Sequence, residues 1–255
     1  MGVIFTIFMN SYSQLITYFL VQTLSSFLIL IFLLLNINDI FTIALFIKLS
    51  IFPFISWYIN VLYRFPNFSF FLAGTLHKLP VILILYQFNL HLSQTFFWLC
   101  ILLTTLCSGL IMLRVGDLRL ILILSSIGNN SWFLVASISG FYVFLLFLFI
   151  YSLNLFIILF MLGYFTKLQV VGFGLHSYSN YNPVILLTSI SGLPPFPLFF
   201  VKIIVVYNLR LRGLFSNLFV VFLLCSSFMV IGYVQSTLKF LVYFYSHSLN
   251  LFLKY

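Results

Sequence analysis

Apolar runs of about 20 residues follow one another along almost the whole chain, and each is long enough to cross a bilayer. Only 5% of the 255 residues are Asp, Glu, Lys or Arg, whereas a soluble globular domain carries about 25%. So few charges cannot cover a water-facing surface. The runs are continuous rather than alternating, which favours helices over a transmembrane barrel. The sequence therefore predicts an all-α, polytopic transmembrane helix bundle.

Hydropathy predicts about eight spans within a single integral membrane domain covering residues 1–255. The predicted spans run from Gln14 to Leu35, Asp39 to Tyr63, Phe68 to Phe88, Thr95 to Leu113, Leu118 to Ser137, Phe141 to Phe165, Val184 to Leu209 and Ser216 to Val234. A last apolar stretch with Lys239 is too short and mixed to predict a span. A polar loop with the Ser177–Asn182 run separates the sixth and seventh spans.

The basic residues indicate how the chain is oriented. Alternating the spans puts one group on the side of the N-terminus, namely Arg64, Arg114, Arg119 and Lys167, and leaves Arg210 and Arg212 on the other. The positive-inside rule then places the N-terminus on the cytoplasmic or matrix side. The net charge of +9 is scattered between apolar spans, so it does not predict nucleic-acid binding.

Two further features are not predicted, namely a cysteine-based site and a cleavable signal. The cysteines Cys100, Cys107 and Cys225 lie inside apolar spans without a CxxC pair, so neither a disulfide scaffold nor a metal site is expected. The apolar first nine residues lack a basic leader and a small-residue cleavage site, so no cleavable signal is expected.

Three lysines lie inside apolar spans: Lys48, Lys78 and Lys202. A lysine at the centre of a membrane helix costs about 2.5–3.5 kcal/mol on insertion scales, so such residues usually face a polar interior and mark a pathway. A flexible stem with a titratable tip suits proton transfer, which an arginine would not perform. The alternative is that these lysines lie near span ends and extend to the membrane interface.

Two spans are interrupted next to a lysine. Pro53 follows Lys48 by five residues, and Gly192, Pro194 and Pro195 precede Lys202. Proline removes a backbone donor, and broken helices at membrane depth are tolerated where the backbone lines a cavity. The alternative for a single proline is an ordinary kink. The pair of breaks predicts an antiporter-like inverted repeat, with a first half at about 14–137 and a second at about 141–255.

Polar residues also cluster in the fifth span, at Ser125, Ser126, Asn129 and Asn130. Such residues either line a wet path or bond neighbouring helices, and the sequence leaves both readings open. His77, next to Lys78, is a candidate relay partner because histidine titrates near neutral pH. Its alternative role is a hydrogen bond to a neighbouring helix.

At these residues the sequence resembles subunit 2 of NADH:ubiquinone oxidoreductase, an antiporter-like membrane subunit of respiratory complex I. Lys48 to Trp57 resembles the family segment K-x-G-x-x-P-F-H-x-W, and Leu76 to Pro80 resembles Q-K-x-A-P. Asp117 to Trp132 is similar to a loop and helix ending in S-S-I-x-H-x-G-W. Ser191 to Lys202 resembles G-L-P-P-F-x-G-F-x-x-K. The motifs occur in the family's order over about residues 18–234.

The resemblance implies a proton route through Lys48, Lys78 and Lys202, driven by quinone reduction elsewhere in the complex. It implies that this chain binds no cofactor, since FMN, iron–sulfur clusters and ubiquinone belong to other subunits, although structural lipids are expected. The implied partners are neighbouring small core subunits and the chain 4 antiporter-like subunit, and the implied location is the mitochondrial inner membrane, with the N-terminus on the matrix side.

The chain departs from the family pattern in four ways. Asn129 replaces the family's histidine, Ser56 replaces another histidine, and Ser50 replaces a glycine. The family's glutamate partner of Lys48 has no counterpart, because the chain contains no glutamate. Three functions stay open: a proton-translocating subunit, for which a separate chain supplies the missing N-terminal helices; a structural scaffold of the membrane arm without pumping; and a stand-alone cation/proton antiporter.

Overall fold

The computed structural model describes residues 12–35, 38–88, 94–170, 188–194, 196–213 and 217–252, and every regular element in these ranges is helical. The longer helices are α1 (Tyr12–Leu35), α6 (Gln94–Arg114), α7 (Leu118–Ser139), α8 (Phe141–Val170) and α10 (Asn217–Phe252). The shorter ones are α2 (Asn38–Leu49), α3 (Ser56–Arg64), α4 (Asn67–Gly74), a 3-10 turn (Leu76–Lys78), α5 (Leu79–Phe88) and α9 (Pro197–Leu211). The predicted all-α fold is confirmed.

Five helices are long and apolar enough to cross a membrane, within α1, α6, α7, α8 and α10. The second, third and seventh predicted spans consist instead of shorter pieces: α2 with α3, α4 with α5, and a turn at residues 188–191 with α9. The multi-pass prediction is confirmed, whereas the count of eight spans stays a prediction. The predicted loop with His176 and Ser177–Asn182 lies outside the described residues.

The third predicted span is broken, which the sequence analysis did not foresee. α4 ends at Gly74, and Thr75 adopts φ −127° and ψ −73° before the 3-10 turn. The Thr75 hydroxyl donates to the Phe71 carbonyl at 2.7 Å. Pro80 has no N–H for the Leu76 carbonyl four residues earlier, so an uninterrupted helix would leave that carbonyl unpaired. The proline belongs to the second helical piece, where a missing donor costs little.

α7 is the central helix of the bundle. It packs against α3, α5, α6, α8, α9 and α10. Every residue from Ile121 to Ala136 is buried, so α7 has no lipid-facing side over that stretch. The polar residues of the predicted fifth span therefore face other helices, as membrane proteins require of polar groups at this depth.

α10 has 36 residues and is about 54 Å long, which exceeds a bilayer core of about 30 Å. It continues through the stretch with Lys239 that was not predicted as a span. The Lys239 ammonium donates to the Leu113 carbonyl at 2.9 Å and so caps the end of α6. Close packing of α6 on α10 uses Gly109, where an added Cβ would lie 3.2 Å from the Phe228 and Met229 backbone.

Contacts at the helix ends place two basic residues at opposite ends of the central helices. Lys239 meets the end of α6 beside Arg114, and Arg212 lies against Gly140, which follows the opposite end of α7. Lys239 therefore joins the larger basic group, while Arg212 is on the other side.

Candidate functional site

The first helix break is closed by the polar cluster of α7. α2 ends at Leu49, and Ser50 adopts a left-handed conformation with φ 54°. The Asn130 amide donates to the Leu49 carbonyl at 2.6 Å and lies 3.3 Å from the Ser50 hydroxyl. The break, which continues through Pro53, therefore finds its donor on a neighbouring helix, and Asn130 has an interhelical bonding role.

Lys48 is half-buried in the last turn of α2, two residues before Ser50. The chain has only two acidic residues, Asp39 and Asp117. Asp39 precedes Lys48 by nine residues on α2, or about 14 Å along the helix. Asp117 precedes Asn130, which binds the end of α2, by 13 residues, or about 20 Å. Asp39 therefore lies near the opposite end of α2 from Lys48.

The second break places Lys202 across its own gap. A helical turn ends at Ser191, Gly192 has φ 73°, and α9 begins at Pro197. The Lys202 ammonium donates to the Ser191 carbonyl at 3.2 Å. A Cβ on Gly192 would lie 3.0 Å from the Lys202 Nζ, so the glycine provides both the backbone conformation and the space. Pro194 lies in the gap, and Pro195 is outside the described residues.

Lys202 also contacts an aromatic ring of the central helix. Its Nζ lies 5.3 Å from the centre of the Trp132 ring. This is within the range of about 6 Å over which a ring face attracts a cation. The ammonium therefore has one carbonyl and one ring face as described partners.

Lys78, at the end of the 3-10 turn, is only 3% exposed. Its Nζ has no hydrogen-bond partner in the described part of the chain. It lies 5.4 Å from the centre of the Phe133 ring and 5.6 Å from that of Tyr151. The ammonium is thus inside the bundle and does not extend to its surface.

Three buried tyrosines surround the polar cluster of α7. The Tyr58 and Ser126 hydroxyls are 3.4 Å apart. Tyr151 has Asn129 beside its hydroxyl, and Tyr233 has Ser125 beside its own. Neither of those two hydroxyls makes a hydrogen bond of standard geometry within the described residues.

Sequence reasoning missed these tyrosines as well as Phe133. A phenol in an apolar span needs a polar partner, which is a usable signal. With 15 tyrosines in the chain, however, that signal does not single out the three that face α7.

His77 is directed away from the Lys78 ammonium. Its ring packs edge-on against Tyr18 of α1, with ring centres 5.7 Å apart. The Lys78 Nζ instead lies over rings of α7 and α8. The structure therefore brings Lys78 and Lys202 to the central helix and packs the His77 ring against α1.

These contacts are all made by one turn of α7. Asn130 closes the break after Lys48, Trp132 lies under Lys202, and Phe133 lies under Lys78. These residues fall within four consecutive positions of one helix. Two helix breaks and two ammonium groups, of the buried Lys78 and the half-buried Lys202, therefore contact the same turn of α7. Across the described ranges, no three His, Cys, Asp or Glu side chains are grouped to hold a metal ion.

Curated relatives are similar in sequence to this chain over most of its length. It is 29% identical over 220 residues to NADH-ubiquinone oxidoreductase chain 2 of Strongylocentrotus purpuratus and 30% identical over 205 residues to that of Paracentrotus lividus. These matches cover 83% and 77% of this chain. A third relative of the same name, from Albinaria caerulea, is 29% identical over 249 residues, which cover 93% of this chain and 75% of the relative. The resemblance to chain 2 is confirmed.

The chain spans 59% and 54% of the length of the first two relatives. No family model matches it. A chain in the structure "Respiratory complex I from Thermus thermophilus with bound Aureothin" superposes with a TM-score of 0.70 at 18% identity, covering 89% of this chain and 59% of that one. At that identity the structural likeness shows a shared fold.

The geometry explains two departures from the chain 2 pattern. Ser50 has a positive φ, the conformation for which the glycine of the motif is suited. Its hydroxyl donates to the Leu49 carbonyl at 2.5 Å, so the serine adds a donor at the break. Asn129, which replaces a histidine, lies beside the Tyr151 hydroxyl and keeps hydrogen-bonding capacity without titrating near neutral pH.

Proposed function

We propose that this chain is a membrane-arm subunit of respiratory complex I that takes part in proton translocation coupled to NADH oxidation and ubiquinone reduction. Similarity to chain 2 relatives and the shared fold support membership of the complex. The observation that carries the proton role is the turn of α7 that contacts the Leu49 break, Lys202 and Lys78 together.

In this mechanism Lys48, Lys78 and Lys202 take up and release protons in turn. Burial disfavours the charged form of a lysine, so an enclosed amine exchanges its proton more readily than one in water. The Ser191 carbonyl stabilises Lys202 in its charged form. The Tyr58, Tyr151 and Ser126 hydroxyls offer donors and acceptors between the two halves of the bundle. Flavin and iron–sulfur chemistry belongs, on this proposal, to other subunits.

Neighbouring subunits complete the site at Lys48. Lys48 is half-buried, so a side chain from outside the bundle has access to it, whereas Lys78 is enclosed. We place a carboxylate of a neighbouring subunit near Lys48, on a separate chain that packs against the first half of the bundle. The chain 4 antiporter-like subunit and the small core subunits are the other neighbours. The location is the mitochondrial inner membrane with the N-terminus in the matrix.

The test replaces Lys202 with methionine in the assembled complex and measures protons translocated per NADH oxidised. We expect the stoichiometry to fall while NADH oxidation continues in part, because methionine fills the space without carrying a proton. Lys239→Met is the matched control, since Lys239 caps α6 outside the site. Unchanged stoichiometry in Lys202→Met would contradict the proton role.

A structural scaffold of the membrane arm is the second candidate. It is favoured by Asn129, which cannot titrate where chain 2 has a histidine, and by the absence of glutamate from the sequence. The same experiment separates the two candidates, because a scaffold with vestigial lysines would assemble normally and retain full stoichiometry. A stand-alone antiporter would instead show transport after purification without NADH dehydrogenase partners.

A further inference from the structure

Adjacent residues of α7 lie under different lysines. The Trp132 ring is 5.3 Å from the Lys202 Nζ, and the Phe133 ring is 5.4 Å from the Lys78 Nζ. Neighbouring side chains of a helix point about 100° apart, so one peptide unit presents a ring to each lysine. Trp132 is 4% exposed and Phe133 fully buried, so both rings are fixed by packing.

Among the described side chains, carboxylates included, none hydrogen-bonds to the Lys78 ammonium. Phe133 is 16 residues from Asp117 on α7, which is about 24 Å along the helix. A partner chain cannot supply the charge either, because Lys78 is 3% exposed.

The other titratable groups around Lys78 are neutral phenols. Tyr151 of α8 is in contact, and Tyr58 of α3 and Tyr233 of α10 interact with Tyr151. His77 faces Tyr18 of α1. The faces of Phe133 and Tyr151 are therefore the described groups that attract a positive charge at this position, and desolvation strengthens that attraction.

We propose that Trp132 and Phe133 are positioning residues that hold the Lys202 and Lys78 ammonium groups at one level of α7, with Tyr151 as the second ring at Lys78. This inference rests on the proposed proton role of the lysines. The dependence on rings differs between the two sites: Lys202 also has the Ser191 carbonyl, whereas Lys78 has ring faces alone in the described structure. Loss of a ring therefore has its larger effect at Lys78.

The experiment compares Phe133→Leu with Phe147→Leu in the assembled complex. Phe147 is a matched control because it is also fully buried and packs edge-on against Phe133 at 5.1 Å, rather than under a lysine. Proton translocation per NADH is measured as a function of pH. A ring face stabilises the ammonium, so its loss favours the neutral amine and moves the alkaline limb of the profile to lower pH. We expect a shift of about one pH unit for Phe133→Leu and none for the control.

A purely structural role of Phe133 would lower the yield of assembled complex without moving the pH profile. Coincident profiles of the two variants would therefore overturn the inference. If Phe133→Leu does not assemble, Tyr151→Leu replaces it, with Tyr151→Phe as the control that keeps the ring. The leucine variant is then expected to shift the profile, and the phenylalanine variant to leave it in place; no difference between them would overturn the inference.

Lys78→Met separates this inference from the proposed function. If Lys78→Met loses translocation but Phe133→Leu keeps the normal pH profile, the inference alone fails. If Lys78→Met translocates protons normally, the function fails. The inference is then decided by an experimental structure of the Phe133→Leu complex, in which we expect the Lys78 amine to have moved. An amine in its original position would overturn the inference.

Discussion

Different groups stabilise the ammonium at the Lys202 site and at the Lys78 site. Lys202 lies beside a helix gap, and a carbonyl released by the gap accepts a hydrogen bond from its ammonium. Lys78 follows a break as well, but the Thr75 hydroxyl and the backbone bond within that break, and its ammonium meets two rings. The break beside Lys202 thus supplies a carbonyl to the cation, whereas the break before Lys78 does not.

The largest expected effect is a loss of proton stoichiometry on substitution of Gly192, which lies against Lys202. Gly192→Ala forces an alanine into a left-handed conformation, at about 1–2 kcal/mol, and places a Cβ 3.0 Å from the Lys202 Nζ. We expect displacement of the ammonium and a loss of proton stoichiometry. Gly213→Ala is the matched control: φ is 67° and an added Cβ meets nothing within 4 Å. The control should lower thermal stability alone, and equal stoichiometry in both variants would contradict the expectation.

The second expected effect is on thermal stability, and it has opposite signs in the two lysine variants. Lys78→Met removes a buried amine without a described hydrogen-bond partner, so thermal stability of the assembled complex should stay level or rise. Lys202→Met leaves the Ser191 carbonyl without its donor and should cost about 1–3 kcal/mol. Thermal unfolding of the two complexes, measured in parallel, checks the signs. A large destabilisation by Lys78→Met would show that Lys78 has an important polar partner.

The smallest expected effect concerns the hydroxyl groups around α7. Tyr58→Phe removes the hydroxyl 3.4 Å from Ser126 and should cost about 0.5–1.5 kcal/mol. Tyr151→Phe keeps the ring over Lys78 and removes a hydroxyl without a standard hydrogen bond, so we expect a smaller change in stability. Thermal unfolding compares the stability lost in the two variants. A larger loss in Tyr151→Phe than in Tyr58→Phe would mean that the Tyr151 hydroxyl makes the stronger hydrogen bond.

The breaks were predictable where local chemistry alone produces them. Pro53 and the Gly192–Pro194 segment lack donors or favour left-handed backbone, so both breaks followed from the sequence and are present in the structure. The break at Thr75 was missed although Gly74 and Pro80 flank it, because the 3-10 turn between them contains neither residue type. The end of α10 was missed because its helical continuation is stabilised by a contact between Lys239 and α6, 126 positions away.

The sequence by itself determined a membrane-embedded helical bundle, because apolar length and scarce charge leave no other stable arrangement of the backbone. It also determined which lysines lie within apolar spans and the family whose motifs they carry. Only the tertiary structure decided that Asn130, Trp132 and Phe133 meet the Leu49 break, Lys202 and Lys78. Those partners are 55 to 81 positions apart in the chain, and packing between helices, which local composition does not encode, brings them together.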